Sequence, residues 1–127
     1  MATNPRHSFR VRRNKYKAIK VVDPVDGKFD SKAEYARWLE LKAMEKAGEV
    51  QELRRQVPYP LEVDGKLVGK YVADFVYCTN KGFQMVVEDV KGIITPMFRW
   101  KEKHLKIQYG IDITIIGKVA KKKKKRP

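Results

Sequence analysis

Hydrophobic and polar positions along the chain fall into runs of two periods. Tyr35, Trp38, Leu39, Leu41, Met44 and Ala47 recur at three- and four-residue steps with polar residues between them, the pattern of a half-buried helix. Ser31 is placed to cap its first turn, Glu34 to close a capping box, and Gly48 to end it. A second helix is predicted from Thr95-Pro96, a capping residue followed by proline in the first turn. It runs through Trp100, Leu105 and Ile107 to about Tyr109, where Gly110 stops it.

The remaining runs read as strands. Lys17–Val22 alternates weakly, and Asp26-Gly27 is a turn signal before Lys28-Phe29, which together predict a small hairpin. Val50–Tyr59 is extended and closes at Pro58 and Pro60. Asp64-Gly65 reads as a hairpin turn leading through Leu67 and Val68 into Tyr71–Tyr77. After a turn at Asn80–Gly82, Phe83–Lys91 carries apolar residues on both faces, which marks a central strand. Ile111–Ile116 is a final apolar strand, and no internal repeat is visible. The order is roughly β-α-βββ-α-β, an α/β fold with a mixed β-sheet flanked by helices.

Charge divides the chain differently. Its 127 residues carry 29 Lys+Arg against 15 Asp+Glu, a formal net charge of +14. Residues 1–20 hold seven bases and no acid, residues 118–127 hold seven more and no acid, and all 15 acids lie between. The organisation expected is a flexible basic arm over 1–15, a single domain over 16–117 and a disordered lysine-rich tail over 118–127. No apolar run approaches the roughly 18 residues of a membrane span, and Met1–Lys20 lacks the apolar core of a signal peptide. Cys78 is the single cysteine, which excludes an internal disulfide, and with only His7 and His104 no Cys/His zinc cluster can form. The expected setting is the cytoplasm, a reducing compartment. A basic chain of this kind most often meets nucleic acid.

Acids interrupt the apolar strands at two points. In Tyr71–Tyr77, alternation puts Tyr71, Ala73, Phe75 and Tyr77 on one face and Val72, Asp74 and Val76 on the other. A carboxylate between two valines is expensive to desolvate unless something compensates it. In Val86–Gly92, Asp89 and Lys91 share a face while Glu88 points the other way. Taken singly, each is read as an edge residue or a surface ion pair. Taken together, two neighbouring strands joined by a tight turn can bring their acids to one point. Converging oxygen ligands suit a hard cation such as Mg²⁺, with Mn²⁺ as a substitute. A lysine beside that cation can orient water and offset charge on a phosphate oxygen.

Asp74 followed by Glu88-Asp89-Val90-Lys91 resembles the PD-(D/E)xK nuclease motif. Phe29–Glu34, Gln56, Tyr71–Phe75 and Val87–Gly92 are similar to the pattern of the small phage and prophage nucleases of that superfamily, with Lys103–Gly110 fitting the later helix. The resemblance covers about residues 15–117. It implies a restriction-endonuclease-like core and a catalytic set of Glu34, Asp74, Asp89 and Lys91. Asp74, Asp89, Glu34 and Val90 would supply the metal ligands, and Lys91 would place the water. The proline of the motif's name is absent, Ala73 standing before Asp74. Strand geometry favours Asp89 over Glu88 for the third position. For Glu34 the capping box and the catalytic role are both open, and they are compatible.

Gln56 is read either as a contact to ligand or phosphate or as an ordinary strand glutamine. Arg99, Lys103 and Lys106 share one helical face, suited to phosphates or simply to solvent, while Trp100, His104 and Ile107 form another. His104 is left to packing or hydrogen bonding. With Arg10, Arg12 and Arg13 of the arm, these bases complete the expected DNA contacts. The function expected is a Mg²⁺-dependent endodeoxyribonuclease, structure-specific on branched DNA in the manner of a Holliday-junction resolvase and acting as a homodimer. A non-catalytic basic nucleic-acid-binding module and a phage nicking or DNA-degrading nuclease are the alternatives.

Overall fold

A computed structural model describes residues 19–117. The arm, the tail and the predicted contacts Arg10, Arg12 and Arg13 lie outside the described residues. The elements are β1 (Val21–Asp23), β2 (Gly27–Phe29), α1 (Lys32–Lys46), β3 (Val50–Val63), β4 (Lys66–Thr79), β5 (Met85–Val90), α2 (Pro96–Tyr109) and β6 (Ile113–Ile116). The fold is mixed α/β. β1 and β2 form a small antiparallel hairpin, and the main sheet has the order β3-β4-β5-β6. Its first three strands are antiparallel, and β6 joins β5 in parallel because α2 carries the chain back across the sheet. This arrangement is compatible with the restriction-endonuclease-like core that the resemblance implies.

The caps lie where the sequence puts them. Ser31 Oγ accepts the Glu34 N–H at 3.1 Å, and Thr95 Oγ1 accepts the Phe98 N–H at 3.1 Å. Gly110 closes α2 in the left-handed region, at φ 72°. Asp64 and Gly65 both take positive φ in the two-residue β3–β4 turn, as the twist of a tight hairpin requires.

β3 runs four residues past Tyr59, through both prolines. It is an edge strand, where a missing N–H costs no ladder bond. β5 begins at Met85 instead of Phe83, because Phe83 is a turn residue with φ 49°.

The two helices cover opposite faces of the sheet. Phe29, Trp38, Leu41, Val50, Phe75 and Tyr77 pack on the α1 side. Leu61, Tyr71, Ala73, Val76, Val87, Phe98, Leu105 and Ile113 pack on the α2 side. Three expectations are corrected here. Leu39 is exposed, since Trp38 and Leu41 define the inward face of α1. Phe98 and Leu105, a heptad apart, are the buried pair of α2, which leaves Trp100 and Ile107 on its outer side. Tyr71 and Ala73 do not share a face with Phe75 and Tyr77. The alternation of β4 switches at Asp74, opposite Gln56, whose φ of 54° kinks the neighbouring strand.

Candidate active site

The switch at Asp74 is where β4 and β5 part. Their last paired residues on this side are Phe75 and Glu88. One step further, Asp74 Oδ2 accepts the Val90 N–H at 2.8 Å, so a carboxylate stands where a strand carbonyl would. Continuing the register brings Asp89 beside Asp74. Asp89 is 3% exposed, its Oδ2 accepting from the Tyr71 hydroxyl at 2.5 Å and its Oδ1 lying 3.4 Å from Lys91 Nζ. Lys91 follows β5 directly, its N–H bonded to the Ile116 carbonyl at 2.9 Å, and its ammonium sits 4.5 Å from the centroid of the Phe98 ring.

Glu34 reaches the same place from α1. It is 3% exposed and lies at i, i+4 and i+7 with Trp38 and Leu41, on the inward face of the helix. Its Oε1 accepts the Asp30 N–H at 3.2 Å, a cap reaching one residue further out than a capping box. Its Oε2 accepts from Gln56 Nε2 at 3.2 Å, and the same nitrogen donates to Asp74 Oδ1 at 3.4 Å. One glutamine amide therefore joins two acids, which explains how a residue in an unfavourable backbone region is retained. Glu34 serves the helix end and the acid cluster together.

Three acids, Glu34 and Asp89 buried and Asp74 half-buried, repel each other. Burial first, then the charges of Asp89 and Glu34, push the Asp74 carboxyl well above the usual carboxylate range. Glu34 is also raised, chiefly by burial, with nearby Asp30 and Asp89 adding to it. Burial and the Asp89 charge hold the Tyr71 phenol far up, so it remains the donor.

Among the described residues, no group of three or more His, Cys, Asp or Glu side chains stands close enough to hold a metal ion. Asp74 and Asp89 come together, whereas Glu34 stands one amide away and Val90 contributes its N–H to Asp74. Two carboxylates with no sulfur or imidazole donor fit Mg²⁺, which is commonly bound through one or two carboxylates with water and phosphate completing its shell. The raised Asp74 carboxyl marks a surplus of negative charge that a divalent cation would relieve.

Glu88 is excluded from this corner. Both its oxygens are held by Arg37, at 2.9 and 2.7 Å, and Oε2 also accepts from the Tyr77 hydroxyl at 2.5 Å. The predicted basic face of α2 is partly neutralised: Arg99 pairs with Glu102 at 2.7 Å and Lys106 with Asp112 at 2.9 Å, while Lys103 is exposed between them. His104 Nε2 lies 3.1 Å from the Glu62 carbonyl, a packing role as expected.

Three contributors were not legible as such. Tyr71 and Phe98 look like core aromatics in the sequence, and the signal for Tyr71 is its place at the head of the Tyr71–Phe75 stretch, three residues before Asp74. Gly117 is the third. Its φ is 131°, and a Cβ there would lie 2.4 Å from the Lys91 carbonyl oxygen, so only glycine lets β6 end against the lysine. Gly117→Ala is expected to push the Lys91 backbone out of place and to destabilise the chain by about 1–3 kcal/mol. Thermal unfolding beside circular dichroism checks this, and a wild-type melting temperature would show that the backbone contact is immaterial.

A family model described as "Protein of unknown function (DUF1064)" matches residues 13–124. No curated protein and no solved structure matches the chain.

Proposed function

The chain belongs to the DUF1064 family, and we propose that it is a Mg²⁺-dependent endonuclease hydrolysing DNA phosphodiester bonds. The observation that carries this reading is the meeting of Asp74 and Asp89 at the β4–β5 fork with the Lys91 ammonium 3.4 Å from Asp89. Isolated stability does not account for the cluster, since buried like charges cost free energy. A site poised for a cation and a polyanion does account for it.

Asp74 and Asp89 would hold the metal, and Gln56 ties Glu34 to Asp74 through one amide nitrogen. When bound, Mg²⁺ supplies Lewis-acid polarisation of a phosphoryl oxygen. Lys91 presents three N–H donors on a partly exposed side chain. It orients the attacking water or takes up charge developing on a phosphate oxygen, a contribution of about 2.7–4 kcal/mol for one such donor. The net charge of +14 draws the polyanion to the domain.

Within this reading the substrate is branched DNA, a step that rests on the resemblance to the small phage and prophage nucleases. Symmetric cuts in two strands call for two equivalent sites and hence a homodimer. The reaction belongs in the cytoplasm, where such DNA is found; no described helix is long and apolar enough to cross a membrane. A non-catalytic DNA-binding module is the second reading, favoured by the lack of a three-ligand group among the described residues.

The test incubates the protein with Mg²⁺ and matched four-way-junction, linear duplex and single-stranded DNA, alongside Asp74→Asn and Lys91→Ala. Symmetric junction cuts lost in both variants support resolution. Equal cutting of all three substrates removes branch specificity, and binding without cleavage under Mg²⁺ and Mn²⁺ leaves the second reading.

A further inference from the structure

We propose that Tyr71 and Phe98 are positioning residues of this site, Tyr71 fixing the orientation of the Asp89 carboxylate and Phe98 fixing the Lys91 ammonium. The inference rests on the nuclease reading and adds to its catalytic set of Glu34, Asp74, Asp89 and Lys91 two residues with no role assigned there.

Asp89 is gripped from two sides. The Tyr71 hydroxyl donates to Oδ2 at 2.5 Å, and Lys91 Nζ lies 3.4 Å from Oδ1. Without the phenol, the carboxylate is free to rotate onto the lysine and close into a tight ion pair. That pairing would occupy the oxygen a cation needs and the ammonium that water or phosphate needs. With the phenol in place, one oxygen is anchored and each oxygen keeps a further lone pair. Hydrogen bonds of this kind, made to a ligand and not to the metal, set ligand direction and basicity.

Lys91 is restrained from the other direction. Its ammonium sits 4.5 Å from the Phe98 ring centroid, close enough for attraction to the ring face. Phe98 is itself 5% exposed and is fixed by the capped first turn of α2, where its N–H donates to Thr95. The two rings are neighbours, with centroids 6.4 Å apart and planes tilted by 57°. One buried aromatic pair thus lies against both functional groups, Tyr71 on Asp89 and Phe98 on Lys91.

The two residues act through different partners, so their variants separate. Tyr71→Phe keeps the ring, including its stacking on Tyr59, and removes only the hydroxyl. In the full chain without DNA, its affinity for Mn²⁺ by titration calorimetry is expected to weaken about 10- to 100-fold. The Mn²⁺ concentration for half-maximal cleavage should rise equally, with kcat at saturating Mn²⁺ within a few-fold of wild type. Phe98→Leu should show the reverse split, an unchanged Mn²⁺ affinity with kcat lowered about 10-fold. Should Phe98→Leu fail to fold, Phe98→Met takes its place, and a folded Phe98 variant with wild-type kcat overturns the role of Phe98. Tyr71→Phe binding Mn²⁺ as tightly as wild type overturns the inference while leaving the nuclease reading intact. A wild-type chain that neither binds Mn²⁺ nor cleaves DNA overturns both, and that result comes before any variant is compared.

Discussion

Asp74→Asn is expected to lower DNA cleavage by at least about 10²–10³-fold and, in the same protein, to raise the melting temperature measured in chelator. The two effects have one origin. Asp74 is a half-buried carboxylate beside Asp89, joined to Glu34 by Gln56, and its proton is held more tightly than in an unfolded chain. An acid whose native pKa is raised makes the native state the better proton binder. Metal-free stability therefore falls as pH rises from the ordinary carboxylate range through the raised value of Asp74. Asparagine keeps an oxygen for the Val90 N–H and carries no charge, so it removes the repulsion and flattens that fall. Each kcal/mol relieved is read as roughly 4–8 °C in a domain of this size. Melts between pH 5 and pH 9 provide the measurement, with and without Mn²⁺. Added Mn²⁺ should stabilise wild type and leave Asp74→Asn unmoved. If the variant melts lower at every pH, Asp74 is a structural acceptor and the surplus-charge account fails. Trading stability for an acidic cluster is what a working site does and a merely structural one avoids.

The second large effect is expected on the opposite face, with no direct effect on chemistry. Arg37→Ala strips the partner from Glu88, which is 1% exposed and, among the described residues, otherwise held only by the Tyr77 hydroxyl. Breaking a buried pair from one side costs about 3–5 kcal/mol, because the remaining charge is left uncompensated. A fall in melting temperature on the order of 15 °C is expected, read in thermal or urea unfolding. Removing the whole group together, as Arg37→Met with Glu88→Met and Tyr77→Phe, should recover most of the loss, since no buried charge then remains. A single Arg37→Ala variant as stable as wild type would show that water reaches Glu88. At a temperature where the triple variant is folded, its Mn²⁺ affinity should match wild type, because Glu88 faces away from Asp89.

Much of the fold is written locally. The helix of residues 32–46 could be read from its period and its Ser31 cap, α2 from Thr95-Pro96 and Gly110, and the β3–β4 turn from Asp64-Gly65. Alternation also separated Asp89 from Glu88 correctly, because two neighbours in one strand must point apart. The errors have a common cause. Leu39, Trp100 and Ile107 are apolar at positions the helix turns outward, and hydrophobicity alone does not say which of two apolar stripes meets the sheet. The sequence of β4 reads as one continuous alternation, yet the strand changes face at Asp74 because its partner strand is kinked at Gln56, 18 residues away in sequence.

The candidate site divides along the same line. By itself the sequence determined which groups are available: two carboxylates within apolar strands, a lysine two residues after the second, a glutamate in a helix cap, and a basic excess at both ends. Only the tertiary structure decided how they are used. It parts β4 from β5 at Asp74, joins Glu34 to Asp74 through Gln56, gives Glu88 to Arg37, and sets Tyr71, Phe98 and Gly117 around Asp89 and Lys91. The reason is range. Periodicity, caps and turns express forces between residues a few positions apart, while the meeting of buried acids depends on where distant strands diverge and on which partners desolvation compels each charge to find.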